Sequence, residues 1–534
     1  MVNGLRRTVK YGNTSADLNG LQLEDIERIE IVRGPMSALY GSEALAGVIN
    51  IVTKKPTDEK SLQTTLVGGI VEREQRDTII FKGAANLGRY GSSRHRASFE
   101  VKKRDEFKED TDDPFTTLNQ EDKLFLSYGG TYDISAYHWL GWNFEYYHEE
   151  DEGVSSAGNV PTFEKEERYH LDGKYHNETD LGIFDMALGF GRNDAESDRT
   201  AGTESTDYKQ IELNTFFTRS FFGNHTATLG AGARRQEIEQ TIYSKVPDRK
   251  VYHILVQDQW RIWDDVILVA GVRYDDYSDF GDTTNPRGAL SWRPGNWFIR
   301  VGYGRGFKAP SFAEQYSSFK RASGNRVFDV IGNPDLEPEE SETYEAALGY
   351  RTKKCGVEGI YHYSKIDNLI SAEITDVKVS PGPVYNFVSE YMNVSKAKID
   401  GTEFTFDARP WDFWELSASW EYLHKVDDDT GERLQDYAQN KVKLGSTLYF
   451  GKTNFHTYYR KIIDFYATAP SRELVETTYT QVDVRLGYGL FKNHELFSGI
   501  DNLFDDKSPS NWTRGGSVID PGARYYYIGY SAEF

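Results

Sequence analysis

The fold is decided by a pattern that is clearest in residues 482–490, which read Val-Asp-Val-Arg-Leu-Gly-Tyr-Gly-Leu. Apolar side chains occupy every second position, and charged residues or glycines occupy the positions between them. A period of two is typical of a β-strand with one apolar face and one polar face. The same alternation recurs along almost the whole chain, for example in residues 140–146, 299–304 and 344–351. The sequence therefore predicts an all-β protein.

Two architectures can use such strands: a soluble sandwich or propeller with the apolar face inward, and a membrane barrel with the apolar face outward around a wet lumen. The connections favour the barrel, because short turns at 222–225, 293–296 and 353–356 alternate with long polar loops, as in outer-membrane barrels. The long loops are predicted at approximately 149–168, 191–209, 312–340, 371–393, 425–440 and 505–524. Tyrosine and tryptophan cluster at strand ends, where an interfacial girdle needs them, and the chain ends on an aromatic residue, Phe534.

The composition excludes several classes of protein. The 534 residues include 62 lysines and arginines against 83 aspartates and glutamates, which gives a formal net charge of −21. Nucleic-acid binding needs a basic surface, so we expect no nucleic-acid partner. The single cysteine, Cys355, excludes an internal disulfide framework and a multi-cysteine metal site. With no zinc-protease motif and no supported catalytic triad, the sequence predicts no catalytic residues and no enzyme.

The first part of the chain has a different pattern. Residues 21–33 read as a short acidic helical turn that enters a strand at 29–32, and Gly34-Pro35 ends that strand. A small-residue turn at 37–41 then leads to a second, uniformly apolar strand at 47–53. A strand that is apolar on both faces is expected to be buried. We therefore predict a small α+β element here, separate from the barrel wall.

These N-terminal residues carry a resemblance to a known family. Residues 26–35, Ile-Glu-Arg-Ile-Glu-Ile-Val-Arg-Gly-Pro, followed by Ser-Ala-Leu-Tyr-Gly at 37–41 and Gly-Val-Ile-Asn-Ile-Val-Thr-Lys at 47–54, resemble the second half of the plug domain of TonB-dependent outer-membrane receptors. Further stretches resemble the barrel of that family, and they lie at 306–310, 332–339, 399–403, 499–505 and the terminal Phe534. Within the family, the chain looks most like the group of colicin, catecholate-siderophore and cobalamin receptors.

The resemblance implies a transmembrane antiparallel barrel of about 22 strands in the outer membrane of a Gram-negative bacterium. We expect residues 1–57 to form the C-terminal part of a plug domain and residues 58–534 to form the barrel. Such receptors are monomers without a cofactor that take up a scarce, large ligand, driven by the TonB–ExbB–ExbD complex of the inner membrane. Because the chain starts within the plug, we expect the signal peptide, the TonB box and the first plug strands to be absent. The alternative function is a passive barrel or a non-functional truncation product.

A plug inside a polar lumen must be held by polar and charged contacts. The candidate contacts are Arg33 on the plug and two glutamates, Glu345 and Glu403, that strand parity places on the lumen face. The alternative is that these three residues are ordinary solvated charges.

The ligand is predicted to bind aromatic and basic side chains in two loops. The candidates are Phe312, Tyr316, Phe319, Lys320, Arg321 and Arg326 in the first loop and Tyr385 and Phe387 in the second. Aromatic rings and cations suit an anionic, aromatic ferric catecholate. The alternative is that some of these aromatic residues belong to the outer girdle. Cobalamin ranks second and haem third, since residues 307–336 lack the histidine that haem receptors of this family place there.

The acidic run at residues 105–113, Asp-Glu-Phe-Lys-Glu-Asp-Thr-Asp-Asp, is a candidate calcium loop. It lacks the glycine and the terminal glutamate of a helix-loop-helix calcium site. A solvated extracellular loop is the preferred interpretation, and no metal ligands are assigned.

Overall fold

The structure is a computed structural model, and it describes residues 1–7, 20–34, 36–42, 44–45, 47–72, 76–108, 116, 119–155, 160–199, 202–323, 326–380, 384–435, 437–468, 474–506 and 523–534. The N-terminal elements are a 3-10 turn (Leu23–Asp25), β1 (Ile26–Arg33), α1 (Ser37–Tyr40) and β2 (Gly47–Thr53). The strands that follow are β3 (Lys60–Val71), β4 (Arg76–Tyr90), β5 (Ser93–Arg104), β6 (Gln120–Ser135), β7 (His138–Ser155), β8 (Val160–Thr179), β9 (Gly182–Arg199), β10 (Gly202–Phe221), β11 (His225–Gln240), β12 (Asp248–Trp263), β13 (Val266–Tyr277), β14 (Gly281–Trp292) and β15 (Trp297–Lys308). The remaining elements are α2 (Phe312–Tyr316), β16 (Ser318–Ser323), β17 (Arg326–Ile331), β18 (Glu339–Arg351), β19 (Cys355–Ser380), β20 (Val384–Trp411), β21 (Trp414–Asp427), β22 (Tyr437–Phe450), β23 (Thr453–Thr468), β24 (Leu474–Phe491), β25 (His494–Asp501) and β26 (Tyr525–Glu533).

The barrel closes between its first and last strands. Strands β3–β15 and β18–β26 pair antiparallel in chain order, and β26 pairs with β3 through partners such as Tyr530 and Leu66. Within the described residues, 22 strands form this closed wall, which confirms the predicted fold class. Strand β15 pairs directly with β18, so the intervening hairpin β16–β17 is an insertion above the wall.

The alternating pattern sorts the side chains between the two surfaces of the wall. On β12, Tyr252, Ile254 and Val256 point outward, and Ile254 is 59% exposed, whereas the neighbouring Leu255 is 1% exposed. Elsewhere the inward face carries buried polar groups such as Asp275. An apolar exterior around a polar interior is the arrangement that a lipid bilayer requires.

Aromatic side chains ring the end of the barrel that has the short turns. Trp411 and Trp414 flank one turn with ring centroids 5.7 Å apart, and Trp297 and Tyr350 approach to 4.9 Å beside two others. Amphipathic rings prefer the membrane–water interface. These rings therefore mark one edge of the bilayer, and the predicted clustering of aromatic residues at strand ends is confirmed.

The predicted short turns are confirmed, but the segments predicted as long loops at 149–168, 191–209 and 371–393 are mostly strand, and the loop predicted at 505–524 lies largely outside the described residues. Strand β7 continues to Ser155 and β8 begins at Val160, so the segment predicted as a loop at 149–168 is mostly a hairpin. The same holds for 371–393, where β19 reaches Ser380 and β20 begins at Val384. The alternation of apolar and polar residues marks only the part of a strand that has an apolar face. Cross-strand backbone hydrogen bonds form between polar residues as well, so a strand can be longer than its alternating part. The hairpins therefore extend beyond the apolar band into water.

The N-terminal segment forms the predicted small α+β element. Strands β1 and β2 pair antiparallel, and residue Val2 adds a short parallel bridge to Ile51. The prediction that the second strand is buried on both faces is wrong. Ile51 is 5% exposed under this bridge, but Ile49, on the same face of β2, is 48% exposed, because no described side chain covers that part of the sheet.

Helices contribute little to the fold. Helix α1 contacts the inner side of β13, β14 and β15, so it holds the N-terminal element against the wall. Among the described residues, no helix has the length and apolar character needed to cross a membrane.

Replacement of Ile254 by arginine tests which surface meets lipid. Arginine near the middle of the bilayer costs about 2–4 kcal/mol on the lipid face of a barrel. We expect Ile254→Arg to lower the free energy of unfolding by about that amount in phospholipid vesicles, measured by guanidinium titration. Gln257→Arg, on the opposite face of the same strand, is the control, and an equal loss in both variants would contradict the assignment.

Candidate functional site

The N-terminal element is held inside the barrel by buried ion pairs. The Arg7 guanidinium lies 2.9 Å from a carboxylate oxygen of Glu145 on β7 and 2.9 Å from one of Asp172 on β8. Burial opposes the charge, but the two carboxylates outweigh burial and raise the pKa of Arg7. Arg7 therefore remains charged between two wall strands.

A second set of polar contacts lies at the 3-10 turn. Asp25 pairs with Arg96 of β5 at 2.6 Å, and Glu24 pairs with Lys82 of β4 at 2.9 Å. The Gln22 amide donates to the Phe99 carbonyl oxygen at 2.6 Å. Sequence reasoning predicted polar contacts of this kind but missed these residues. The available signals were the acidic start of residues 21–33 and the polar positions on the alternating strands.

Of the three residues predicted to make plug–barrel contacts, the structure places Glu345 next to the plug. Glu345 on β18 pairs with Arg300 of β15 at 2.8 Å, and a Cβ added at Gly34 of the plug would lie 3.4 Å from the Glu345 carboxylate. Glu403 lies opposite Ile360 and Glu421 in the wall register. The Arg33 side chain lies outside the described residues, so its pairing with either glutamate stays a prediction.

Loss of the Arg7 charge is expected to loosen the plug. In Arg7→Gln, the buried carboxylates of Glu145 and Asp172 lose their shared cation, and breaking a buried pair costs about 3–5 kcal/mol. We expect faster proteolysis of the N-terminal element in the folded barrel, measured by timed thermolysin digestion and mass spectrometry. The control is Arg28→Gln, which removes an exposed arginine that pairs with Glu27 and Glu30 of its own strand. Equal digestion rates in both variants would show that the Arg7 contacts do not hold the plug.

Two of the predicted ligand-binding residues are buried in the extracellular loop that follows β15. Ser311 and Glu314 form a capping box that starts α2, since the Ser311 hydroxyl accepts from the Glu314 N–H and the Glu314 carboxylate accepts from the Ser311 N–H. Phe312 and Tyr316 then pack against Tyr208 and other wall residues. Burial raises the pKa of Tyr316, so its phenol stays protonated. These two rings anchor the loop in this structure, and their contact with a ligand stays a prediction.

The other candidates are brought together by an unusual strand pairing. Strand β17 of the first loop pairs parallel with β20 of the second, so that Arg326 lies beside Tyr385 and Phe328 lies beside Phe387. The rings of Phe328 and Phe387 stack with centroids 5.3 Å apart. Phe319 on β16 joins the same side through its antiparallel partner Val330. We call this surface, formed by Phe319, Arg326, Phe328, Tyr385 and Phe387, the aromatic face.

The remaining two basic candidates have different positions. Lys320 lies on the opposite face of the sheet, where it pairs with Asp329 at 3.1 Å. Arg321 lies opposite Phe328 in the backbone register, and its side chain lies outside the described residues. Among the described residues, Arg326 forms no ion pair, so a cation remains available beside the aromatic rings.

The aromatic face lies next to α2. Tyr391 lies on the same side of β20 as Tyr385 and Phe387 by strand alternation. The Asn333 side-chain amide donates to the Tyr391 carbonyl oxygen at 3.0 Å, and the Asn333 N–H donates to the Glu314 carbonyl oxygen at 2.9 Å. Tyr391 is therefore close to α2. The face and α2 border the same space.

The acidic run at 105–113 gives no structural support for calcium, because residues 109–113 lie outside the described ranges. Elsewhere, the carboxylates of Glu121, Glu149 and Asp151 approach within 4.8 Å of one another. Lys102 and Arg104 each pair with Glu121 at 2.7 Å and compensate part of this charge. The solvated loop stays the prediction for this run, with calcium binding as its alternative.

Comparisons with known proteins agree with this geometry. Residues 73–503 match the family described as TonB dependent receptor-like, beta-barrel, and residues 1–48 match the TonB-dependent receptor plug domain. The chain is 24% identical to the iron-regulated outer membrane virulence protein of Vibrio cholerae, with 100% of this chain and 84% of that protein aligned. It is 25% identical to the vitamin B12 transporter BtuB of Vibrio cholerae, over 99% of this chain and 83% of that one. A solved structure of a mutant of the ferric enterobactin receptor PfeA of Pseudomonas aeruginosa superposes with a TM-score of 0.87 at 16% identity. The match covers 100% of this chain and 90% of that chain, and it shows that the two proteins share a fold.

A closed 22-strand barrel with a folded element inside its lumen is the architecture of an outer-membrane receptor. Because the barrel match covers more than half of the sequence, the chain belongs to the TonB-dependent receptor family. Members of this family are receptors and transporters for siderophore, cobalamin or haem ligands that work with TonB, and they are not enzymes. The protein is therefore a receptor of the Gram-negative outer membrane.

Proposed function

We propose that this receptor takes up a ferric catecholate siderophore, energised by TonB together with ExbB and ExbD. The observation that carries the proposal is the aromatic face, on which strand pairing joins Arg326 to rings from two separate loops. In this assignment residues 1–57 are the plug portion and residues 58–534 are the barrel. The protein acts as a monomer.

The chemistry of the aromatic face fits this ligand class. A ferric catecholate presents flat aromatic rings and a net negative charge to its receptor. Rings such as Phe387 and Tyr385 offer stacking surfaces, and the Arg326 guanidinium offers charge-assisted and cation–π contacts. Phe319 extends the apolar surface on the neighbouring strand. Lys320 and Arg321 add positive charge to the same hairpin.

The buried candidates have a supporting role. Phe312 and Tyr316 fix α2 against the wall, next to the space that the aromatic face borders. We propose that Phe312 and Tyr316 shape the binding site by fixing the position of α2. Direct contact with the ligand is assigned to Phe319, Arg326, Tyr385 and Phe387.

Cobalamin is the second candidate, because BtuB of Vibrio cholerae, a vitamin B12 transporter, matches 99% of this chain. Titration of the purified protein in detergent with ferric catecholate, cobalamin and haem separates the candidates through quenching of tryptophan fluorescence. Saturable binding of the ferric catecholate alone supports the proposal. Saturable binding of cobalamin or haem in its place overturns it.

Substitutions on the aromatic face are expected to weaken binding selectively. A charge-assisted contact contributes about 1.5–3 kcal/mol, so Arg326→Gln should weaken ferric catecholate binding by about tenfold or more. We expect Tyr385→Ala to weaken binding by about tenfold through loss of stacking. The matched control is Lys320→Gln, which removes a cation from the opposite face of the same hairpin. If Lys320→Gln weakens binding as much as Arg326→Gln, only overall charge matters and the assignment of the face fails.

A further inference from the structure

The end of β15 connects the plug to the extracellular loop. The Phe307 N–H donates to the Ser37 hydroxyl at 3.2 Å, and the Ala309 N–H donates to the Ser42 hydroxyl at 2.9 Å. Both serines are buried, and both belong to the N-terminal element. Phe307 near the end of β15 and Ala309 just after it are thus hydrogen-bonded to the plug immediately before the chain enters α2.

The close approach at this point depends on a glycine. A Cβ added at Gly306 would lie 3.2 Å from the Ser37 hydroxyl oxygen and 3.3 Å from the Leu45 Cα. The Ser341 hydroxyl of the wall is closer still, at 3.0 Å, so an alanine here would have to move the Ser341 and Ser37 hydroxyls and the plug backbone at Leu45 by a few tenths of an ångström. The absence of a side chain at Gly306 therefore allows the plug and the end of β15 to lie in direct contact.

Arg249 on β12 fixes the other side of the same segment. Its side chain is 6% exposed, and its guanidinium donates to the Pro310 carbonyl oxygen at 2.7 Å and to the Gln315 side-chain oxygen at 2.9 Å. Asp279 compensates its charge at 2.6 Å, and the guanidinium lies 4.6 Å from the ring centroid of Phe312. A planar guanidinium with several fixed donors is suited to hold a loop in one position.

The contacts continue from α2 to the aromatic face. The Asn333 N–H donates to the Glu314 carbonyl oxygen at 2.9 Å, and the Asn333 amide donates to the Tyr391 carbonyl oxygen on β20 at 3.0 Å. Consecutive hydrogen bonds therefore run from Ser42 of the plug through residues 307–316 to the strand that carries Tyr385 and Phe387. We call residues 307–316 the coupling segment.

We propose that Arg249 is a positioning residue for ligand capture and that the coupling segment links the position of the plug to the aromatic face. The inference rests on the proposed function, since it assigns ligand binding to that face. Coupling of this kind is reciprocal: if the plug contacts stabilise the ligand-competent loop, bound ligand stabilises the plug contacts equally.

The first test measures binding of a ferric catecholate by the full chain in detergent. A hydrogen bond contributes about 1 kcal/mol, so the double variant Ser37→Ala/Ser42→Ala should weaken binding about fivefold or more, although neither serine lies on the aromatic face. Arg249→Met should weaken binding at least as much, and Arg249→Lys should restore part of the loss. Arg235→Met is the control, because Arg235 is exposed and pairs with Asp248 and Glu237. Unchanged affinity in the double serine variant would overturn the coupling to ligand.

The second test needs no ligand. A nitroxide spin label is attached at Ser318→Cys, an exposed position just after α2, in a Cys355→Ser background. We expect both Arg249→Met and Ser37→Ala/Ser42→Ala to increase label mobility in the electron paramagnetic resonance spectrum, while Arg235→Met leaves it unchanged. Unchanged mobility in the two variants would overturn the link between plug and loop. If the wild-type protein binds no ferric catecholate, the proposed function fails, whereas this spectrum still decides the link.

Discussion

The structure depends on backbone hydrogen bonding that leaves no open strand edge in the membrane. In hydrocarbon no water can satisfy an exposed N–H or C=O group, so a sheet must close on itself. Pairing of β26 with β3 achieves this closure. Once the wall is closed, its outer face must be apolar and its inner face can be polar, and the alternation along each strand follows from that division.

The polar lumen in turn determines how the plug is held. The wall offers the plug charged and hydrogen-bonding groups rather than an apolar surface, so docking relies on buried pairs such as Arg7 with Glu145 and Asp25 with Arg96. Removal of one partner of such a pair costs several kcal/mol of stability, about 3–5 kcal/mol, because the remaining charge stays buried. The same pairs are replaceable by water if the whole plug moves. The interface is therefore firm at rest and compatible with displacement by an applied force.

The sequence predicted the features that are local and periodic, and it could not predict those that depend on register. Alternation in residues 140–146 identified a wall strand, and the motif at 26–35 identified the plug. No local signal shows that Arg7 meets Glu145, because 138 positions separate them in the chain. The aromatic face was predicted as two loops, and only the parallel pairing of β17 with β20 shows that Arg326 and Tyr385 are neighbours. The exposure of Ile49 was missed because an apolar residue gives no information about what covers it.

The direct pairing of β15 with β18 has a consequence for the diversification of this receptor. Val301 and Ala346 are partners in the wall, although 44 residues lie between them, and the hairpin β16–β17 is carried by the extracellular part of β20. Changes of length or sequence in that hairpin leave the number of wall strands and their stagger unaltered. Ligand preference can therefore change through insertion, deletion or recombination within the hairpin β16–β17. The membrane-embedded wall can assemble in the same way throughout.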